Sequence, residues 1–119
     1  MKEHEKINYV ELPAKDINAA KEFFSTVFNW SFVDYGSEYT SFSGAGVDGG
    51  FFTSDLVASS NTGSVLVVFY SDSLEATEKK IEEAGGNIIT PVFSFPGGRR
   101  FHFSDPNGNE YAVWTEASL

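Results

Sequence analysis

Apolar and polar positions along the chain follow two rhythms, and the same order of rhythms is run through twice. Ile7 to Leu12 alternates as a strand does, with Ile7, Tyr9 and Glu11 on one face and Asn8, Val10 and Leu12 on the other. Pro13 is read as its end. Asp16 is a helix N-cap, and the segment it opens carries Ile17, Ala20, Phe24, Val27 and Phe28 on one stripe, with Asn29 at its end. Short strands follow at 31–35, 39–43 and 50–54, separated by Gly36 and by Gly44-Ala45-Gly46. After a polar stretch of small residues, 55–63, the order returns. Val65 to Tyr70 reads as a strand apolar on both faces and therefore central. Asp72-Ser73-Leu74-Glu75 reads as a capping-box start. Its helix puts Leu74, Thr77, Ile81 and Ala84 on one face and stops at Gly85-Gly86. Strands at 88–93, 99–104 and 110–115 complete the second run, with Asp105-Pro106-Asn107-Gly108-Asn109 as a tight turn between the last two.

The copies are offset by about 57 residues: Val10-Glu11-Leu12 lies over Val67-Val68-Phe69, and Ile17-Asn18-Ala19 over Leu74-Glu75-Ala76. Pattern and order repeat, while identity is low. The predicted class is α+β, two βαβββ modules within one domain spanning 5–117: module one at 6–54, a linker at 55–63 and module two at 64–116. Each module is expected to be a curved mixed sheet with one helix on its outer side. The inner side then needs cover from the other half or from a second chain. A duplicated half-domain of this kind implies a pseudo-symmetric cup with a pocket on its axis.

Composition narrows the function classes. A chain of 119 residues with 41% hydrophobic and 21% charged residues is that of an ordinary globular domain. A net charge of −9 argues against nucleic acid, which needs clustered Lys and Arg. Acidic surfaces of this kind are common in bacterial cytosolic proteins. With no cysteine, disulfides, thiolate nucleophiles and thiolate metal sites are excluded. The first six residues, Met1 to Lys6, are charged and show no signal-peptide core, and the longest apolar run, Val65 to Tyr70, is too short to span a bilayer. A cytoplasmic protein without membrane partners is expected.

Three segments resemble the vicinal oxygen chelate superfamily of glyoxalase I, bleomycin-resistance proteins and extradiol dioxygenases. Residues 7–16, Ile7 to Asp16, are similar to its opening strand and helix cap. Residues 23–30, Phe23 to Trp30, are similar to its helix ending in a Gly-Trp or Gly-Phe corner, and Ser104 to Asn109 to its Asp-Pro-x-Gly-Asn turn. The resemblance covers about residues 6 to 116. It implies four inward-facing strand positions that hold a divalent metal in the family's enzymes, usually on His or Glu. Carried onto this chain, those positions are Tyr9, Leu66, Ala112 and either Phe51 or Phe52. None is an ordinary ligand for such an ion, so no metal and no other cofactor is expected.

The chemistry that remains is sparse. His4 lies in a charged tail. His102 shares strand parity with Arg100 and Ser104, which points it inward, either as a base or ligand donor or as a hydrogen-bonded packing residue. Glu11 is also expected inward, with Arg100 or His102 as candidate partners. Trp114, in step with Ala112 and Glu110, is a candidate aromatic anchor beside Tyr9 and Phe52; Trp30 is the other large ring. The expected ligand-binding set is therefore Tyr9, Glu11, Phe52, Leu66, Arg100, His102, Ala112 and Trp114. Trp114 would stack on the ligand, and Glu11 would favour a cationic or hydrogen-bond-donating one.

The leading expectation is a metal-free small-molecule-binding protein, similar to the drug-sequestering members of the family. The alternatives are a glyoxalase-like lyase or isomerase using Glu11 and His102 as an acid/base pair, and an interaction module with a filled cup. The resemblance also implies a homodimer, with the modules paired within one chain or exchanged between two.

Overall fold

The computed structural model describes residues 2–117. The chain divides into two compact units between Leu56 and Val57, and each carries one four-stranded mixed sheet and one longer helix.

The first unit holds β1 (Tyr9–Ala14), α1 (Ile17–Phe28), β2 (Ser31–Asp34), β3 (Tyr39–Ser43) and β4 (Asp48–Thr53). Its sheet order is β1-β4-β3-β2, with β1 parallel to β4 and the other pairs antiparallel. Pro13 does not end β1, contrary to the sequence reading. The strand runs on to Ala14 because β1 is an edge strand, where a missing N–H need not break a ladder. β4 starts at Asp48, two positions before the predicted Gly50, and its glycines allow close approach. A Cβ on Gly49 would stand 2.3 Å from the Val10 carbonyl oxygen, and one on Gly50 2.2 Å from the Tyr39 hydroxyl.

Asp16 caps α1 as expected, accepting the Ala19 N–H at 3.1 Å. The helix buries Ala20, Phe23, Phe24 and Val27. Phe23 joins the predicted stripe, and Ile17 and Phe28 are only half-buried at its margin. Asn29 ends the helix in the left-handed region, φ 61°. The chain then delivers Trp30 into the core, stacked on Phe24 and on Phe42, each at 4.4 Å between ring centroids. The largest ring of this unit is therefore packing material.

The second unit holds a 3-10 turn (Ser60–Thr62), β5 (Val67–Tyr70), α2 (Leu74–Glu83), β6 (Asn87–Phe95), β7 (Gly98–Ser104) and β8 (Glu110–Glu116). Its sheet order, β5-β8-β7-β6, repeats the plan of the first, with β5 parallel to β8. The N-caps Asp16 and Ser73 stand at the offset read from the sequence. Two readings are corrected. β5 is an edge strand, not a central one: its apolar residues line both faces because one covers the core while the other, with Val68 and Tyr70, lies open. The capping box at Ser73 does not close either, since its side chain makes no cap bond and Ser71 Oγ accepts the Ser73 N–H instead. The end of α2 follows expectation. Gly85 is left-handed, φ 98°, its N–H reaches the Glu82 carbonyl, and that of Gly86 reaches the Ile81 carbonyl.

The stretch read as a linker is partly pinned. Ala58 donates its N–H to Asn109 Oδ1 at 2.9 Å and accepts the Glu110 N–H, while Ser60 bonds Glu110. The β7–β8 turn below it is organised by Asp105, which is 1% exposed and whose Oδ1 accepts the N–H groups of Asn107 and Asn109. Gly108 takes the left-handed conformation this turn requires, φ 90°. No helix among the described residues is long and apolar enough to cross a membrane.

Candidate functional site

Residues directly opposite one another in a sheet share a face. In the second unit the register pairs Arg100 with Trp114, His102 with Ala112, and Ser104 with Glu110, while β5 adds Val68 beside Ala112 and Tyr70 beside Trp114. Phe101 and Phe103 alternate to the other face, where they are fully buried. The parity argument thus places Arg100, His102 and Trp114, all half-buried, together on the more open face; Ala112 shares that face but is fully buried beneath its neighbours, contrary to its expected role in ligand contact. Leu66, just before β5, is half-buried. Trp114 stands edge-on to Tyr70 at 5.2 Å and near Phe95 at 6.3 Å, forming an aromatic ledge.

Beside the ledge runs a chain of polar contacts. Ser60 donates its N–H and its hydroxyl to Glu110 Oε1, at 2.8 and 2.7 Å. Glu110 Oε2 lies 2.9 Å from His102 Nδ1, and His102 Nε2 lies 3.0 Å from an Nη of Arg100. A guanidinium has donors and no acceptor, so Nε2 must offer its lone pair. With Nε2 accepting, Nδ1 carries the proton that is donated to Glu110. The bond from His102, followed by those from Ser60, holds the Glu110 carboxyl at about 2 against an ordinary 4.5. Because this folded-state value is depressed, the stability it lends is complete above the ordinary value and is lost as pH falls toward the folded one. Melting temperature should therefore fall between about pH 4.5 and 2, and that component of the fall should be missing in Glu110→Gln. Parallel thermal melts of the two proteins across this range check it.

Glu110 and Ser60 were missed from sequence. Glu110 had a usable signal: it shares parity with Trp114, and the tight turn at 105–109 brings it diagonally across from His102. Ser60 had none, because its contact spans 50 residues.

The open face of the first unit carries a different cluster. The Tyr9 and Tyr39 hydroxyls lie 2.6 Å apart, and Tyr39 donates to Glu11 Oε2 at 2.9 Å. With the Tyr39 proton committed to Glu11, Tyr9 donates to Tyr39. Burial, then the bonds to Tyr9 and Glu11, push the Tyr39 phenol well above its ordinary range, so it stays protonated. Glu11 thus takes Tyr39 as its partner rather than Arg100 or His102, which are engaged with each other and with Glu110. Tyr39, the centre of this cluster, was also missed. His4 is exposed beside Glu5.

The register also revises one position carried over from the family. Glu11 pairs with Gly50 as Val68 pairs with Ala112, so the counterpart of Ala112 is Gly50, and that of Trp114 is Phe52. Phe52 lies on the open face, opposite Tyr39. Phe51 is fully buried on the other. The positions Tyr9, Leu66, Gly50 and Ala112 offer one phenol, already bonded to Tyr39, and otherwise no side-chain donor. That set does not fit a divalent ion.

The sequence model of the Glyoxalase/Bleomycin resistance protein/Dioxygenase superfamily matches residues 6–113. The chain belongs to this superfamily. Among curated proteins it is similar to the anthracycline biosynthesis protein DnrV of Streptomyces peucetius, at 29% identity over 93% of this chain and 47% of that protein. It matches the anthracycline biosynthesis protein DauV of Streptomyces sp. (strain C5) at 28% over the same shares. The chain spans about half the length of these curated relatives. Solved superfamily structures share the fold at low identity. The fosfomycin resistance protein FosX of Listeria monocytogenes superposes with a TM-score of 0.78 at 18% identity, covering 95% of this chain and 94% of that one. A glyoxalase-related enzyme from Fulvimarina pelagi also gives 0.78, at 16% identity, covering 94% and 88%. A mutant of the Listeria protein was solved with Mn(II) and 1S,2S-dihydroxypropylphosphonic acid.

Proposed function

We propose that this chain is a superfamily member that binds a small organic molecule without a metal, in the manner of the drug-sequestering members. One observation carries the reading: the four positions that hold metal ligands in the family's enzymes are here Tyr9, Gly50, Leu66 and Ala112, with aromatic and aliphatic side chains beside them. Trp114, Tyr70 and Val68 lie on the face of Ala112 in the second unit, and the Tyr39 phenol closes over Gly50 in the first. Surfaces of this make-up suit flat apolar ligands. Relatives named for anthracycline biosynthesis and fosfomycin resistance add support for an antibiotic-like molecule.

The lyase or isomerase alternative draws less support. Both nitrogens of His102 hold partners, and Glu11 accepts from Tyr39, so neither proposed acid/base group is poised for a substrate. A homodimer accords with the apolar side chains left uncovered, among them Val65 at 85% and Ile7 at 82% exposure. The cytoplasm is the compartment that accords with an acidic, cysteine-free chain. Native mass spectrometry of the purified protein tests the reading. It should show a dimer able to retain a small organic ligand. A monomer that takes up none of a screened set of aromatic compounds would count against it.

A further inference from the structure

The ligand-binding reading leaves open what the ligand carries opposite the aromatic ledge. The sequence suggested a cation, drawn by Glu11. Arg100 reverses that expectation in the second unit.

Arg100 is half-buried, yet among the described residues it joins no ion pair. Its neighbour Arg99, by contrast, is paired with Glu75. Among the described residues the guanidinium of Arg100 makes one hydrogen bond, to Nε2 of His102. Its Nε is buried with no hydrogen-bond partner. The group lies 5.9 Å from the Phe93 ring centroid, which steadies it without neutralising it. Glu110, the nearest carboxylate in this contact chain, is committed to Ser60 and to His102. A partly desolvated cation without a counter-charge is costly, and an incoming oxyanion offsets that cost with charge-assisted bonds. Trp114 stands directly opposite Arg100 across β7 and β8. A flat body on Trp114 would place an attached acid group beside the guanidinium.

We infer that the second unit's open sheet face binds an aromatic anion, its ring system on Trp114 and its carboxylate or similar oxyanion on Arg100. Glu110 acts here as a positioning residue: by holding the Nδ1 proton of His102 it turns the Nε2 lone pair toward Arg100 and fixes the guanidinium. The inference rests on the small-molecule reading above and narrows it to a ligand class.

The test uses 1-naphthoate and its neutral analogue 1-naphthamide, titrated into the full chain by calorimetry, with Arg100→Gln and Arg100→Lys variants checked by thermal melts. The parent should bind naphthoate at least about tenfold more tightly than naphthamide. Arg100→Gln should erase that preference, weakening naphthoate far more than naphthamide. Arg100→Lys, which keeps the charge, should keep part of it and decides the matter if the Gln variant fails to fold. Equal binding of the two probes by the parent would overturn the anion inference while leaving the small-molecule reading intact. A naphthoate preference that survives Arg100→Gln would overturn the assignment to Arg100. Failure of the parent to bind either probe would overturn both readings.

Discussion

Asp105→Ala should lower the melting temperature by on the order of 10–20 °C, among the largest effects of any single substitution in this chain. Asp105 is only 1% exposed, and several donors converge on it, among them the N–H groups of Asn107 and Asn109 on Oδ1, and the Tyr111 hydroxyl on Oδ2 at 2.6 Å. Burial pushes its carboxyl up, while the Tyr111 hydroxyl and the backbone donors pull it back. Alanine removes these acceptor contacts and leaves the fully buried Tyr111 hydroxyl without its carboxylate. Hydrogen bonds to a charged group contribute about 1.5–3 kcal/mol each, and unsatisfied buried donors add to the loss, so about 3–5 kcal/mol is expected after relaxation. Asp105→Asn keeps an acceptor for the backbone and should lose less. A shift of only a degree or two for the alanine variant would mean that the turn does not organise the second unit.

Trp30→Ala should cost about 3–5 kcal/mol, read as a lower denaturant midpoint. Trp30 is 7% exposed and sits between Phe24 and Phe42, with interplanar angles of 12° and 23°. Removing the ring leaves a cavity among aromatic groups that cannot collapse without breaking their own stacking. Trp30→Phe should lose markedly less. It also leaves Trp114 as the single tryptophan, a direct fluorescent reporter of the open face.

The fold was legible because its signals are local. Asp16 before an amphipathic stripe, Gly85-Gly86 after one, and the Asp105 turn each state their structure within a few residues. Errors arose where a neighbour decides the outcome. Pro13 can lie inside β1 only because that strand is at an edge, and the apolar run of β5 has one face left exposed at an edge rather than a central place in the sheet. The site was legible in parity but not in pairing. Alternation put Arg100, His102 and Trp114 on one face. It could not say that His102 would spend its Nδ1 proton on Glu110, or that Tyr39 would reach across Gly50 to Glu11, since both depend on register between strands.

The central claim is that this superfamily member works without the divalent ion. Elemental analysis of protein purified without chelator and dialysed, followed by calorimetric titration with Mn(II), tests it most directly. The account predicts no stoichiometric transition metal and no saturable Mn(II) binding, because Tyr9, Leu66, Gly50 and Ala112 present no ligand set. About one tightly held metal ion per chain would contradict it.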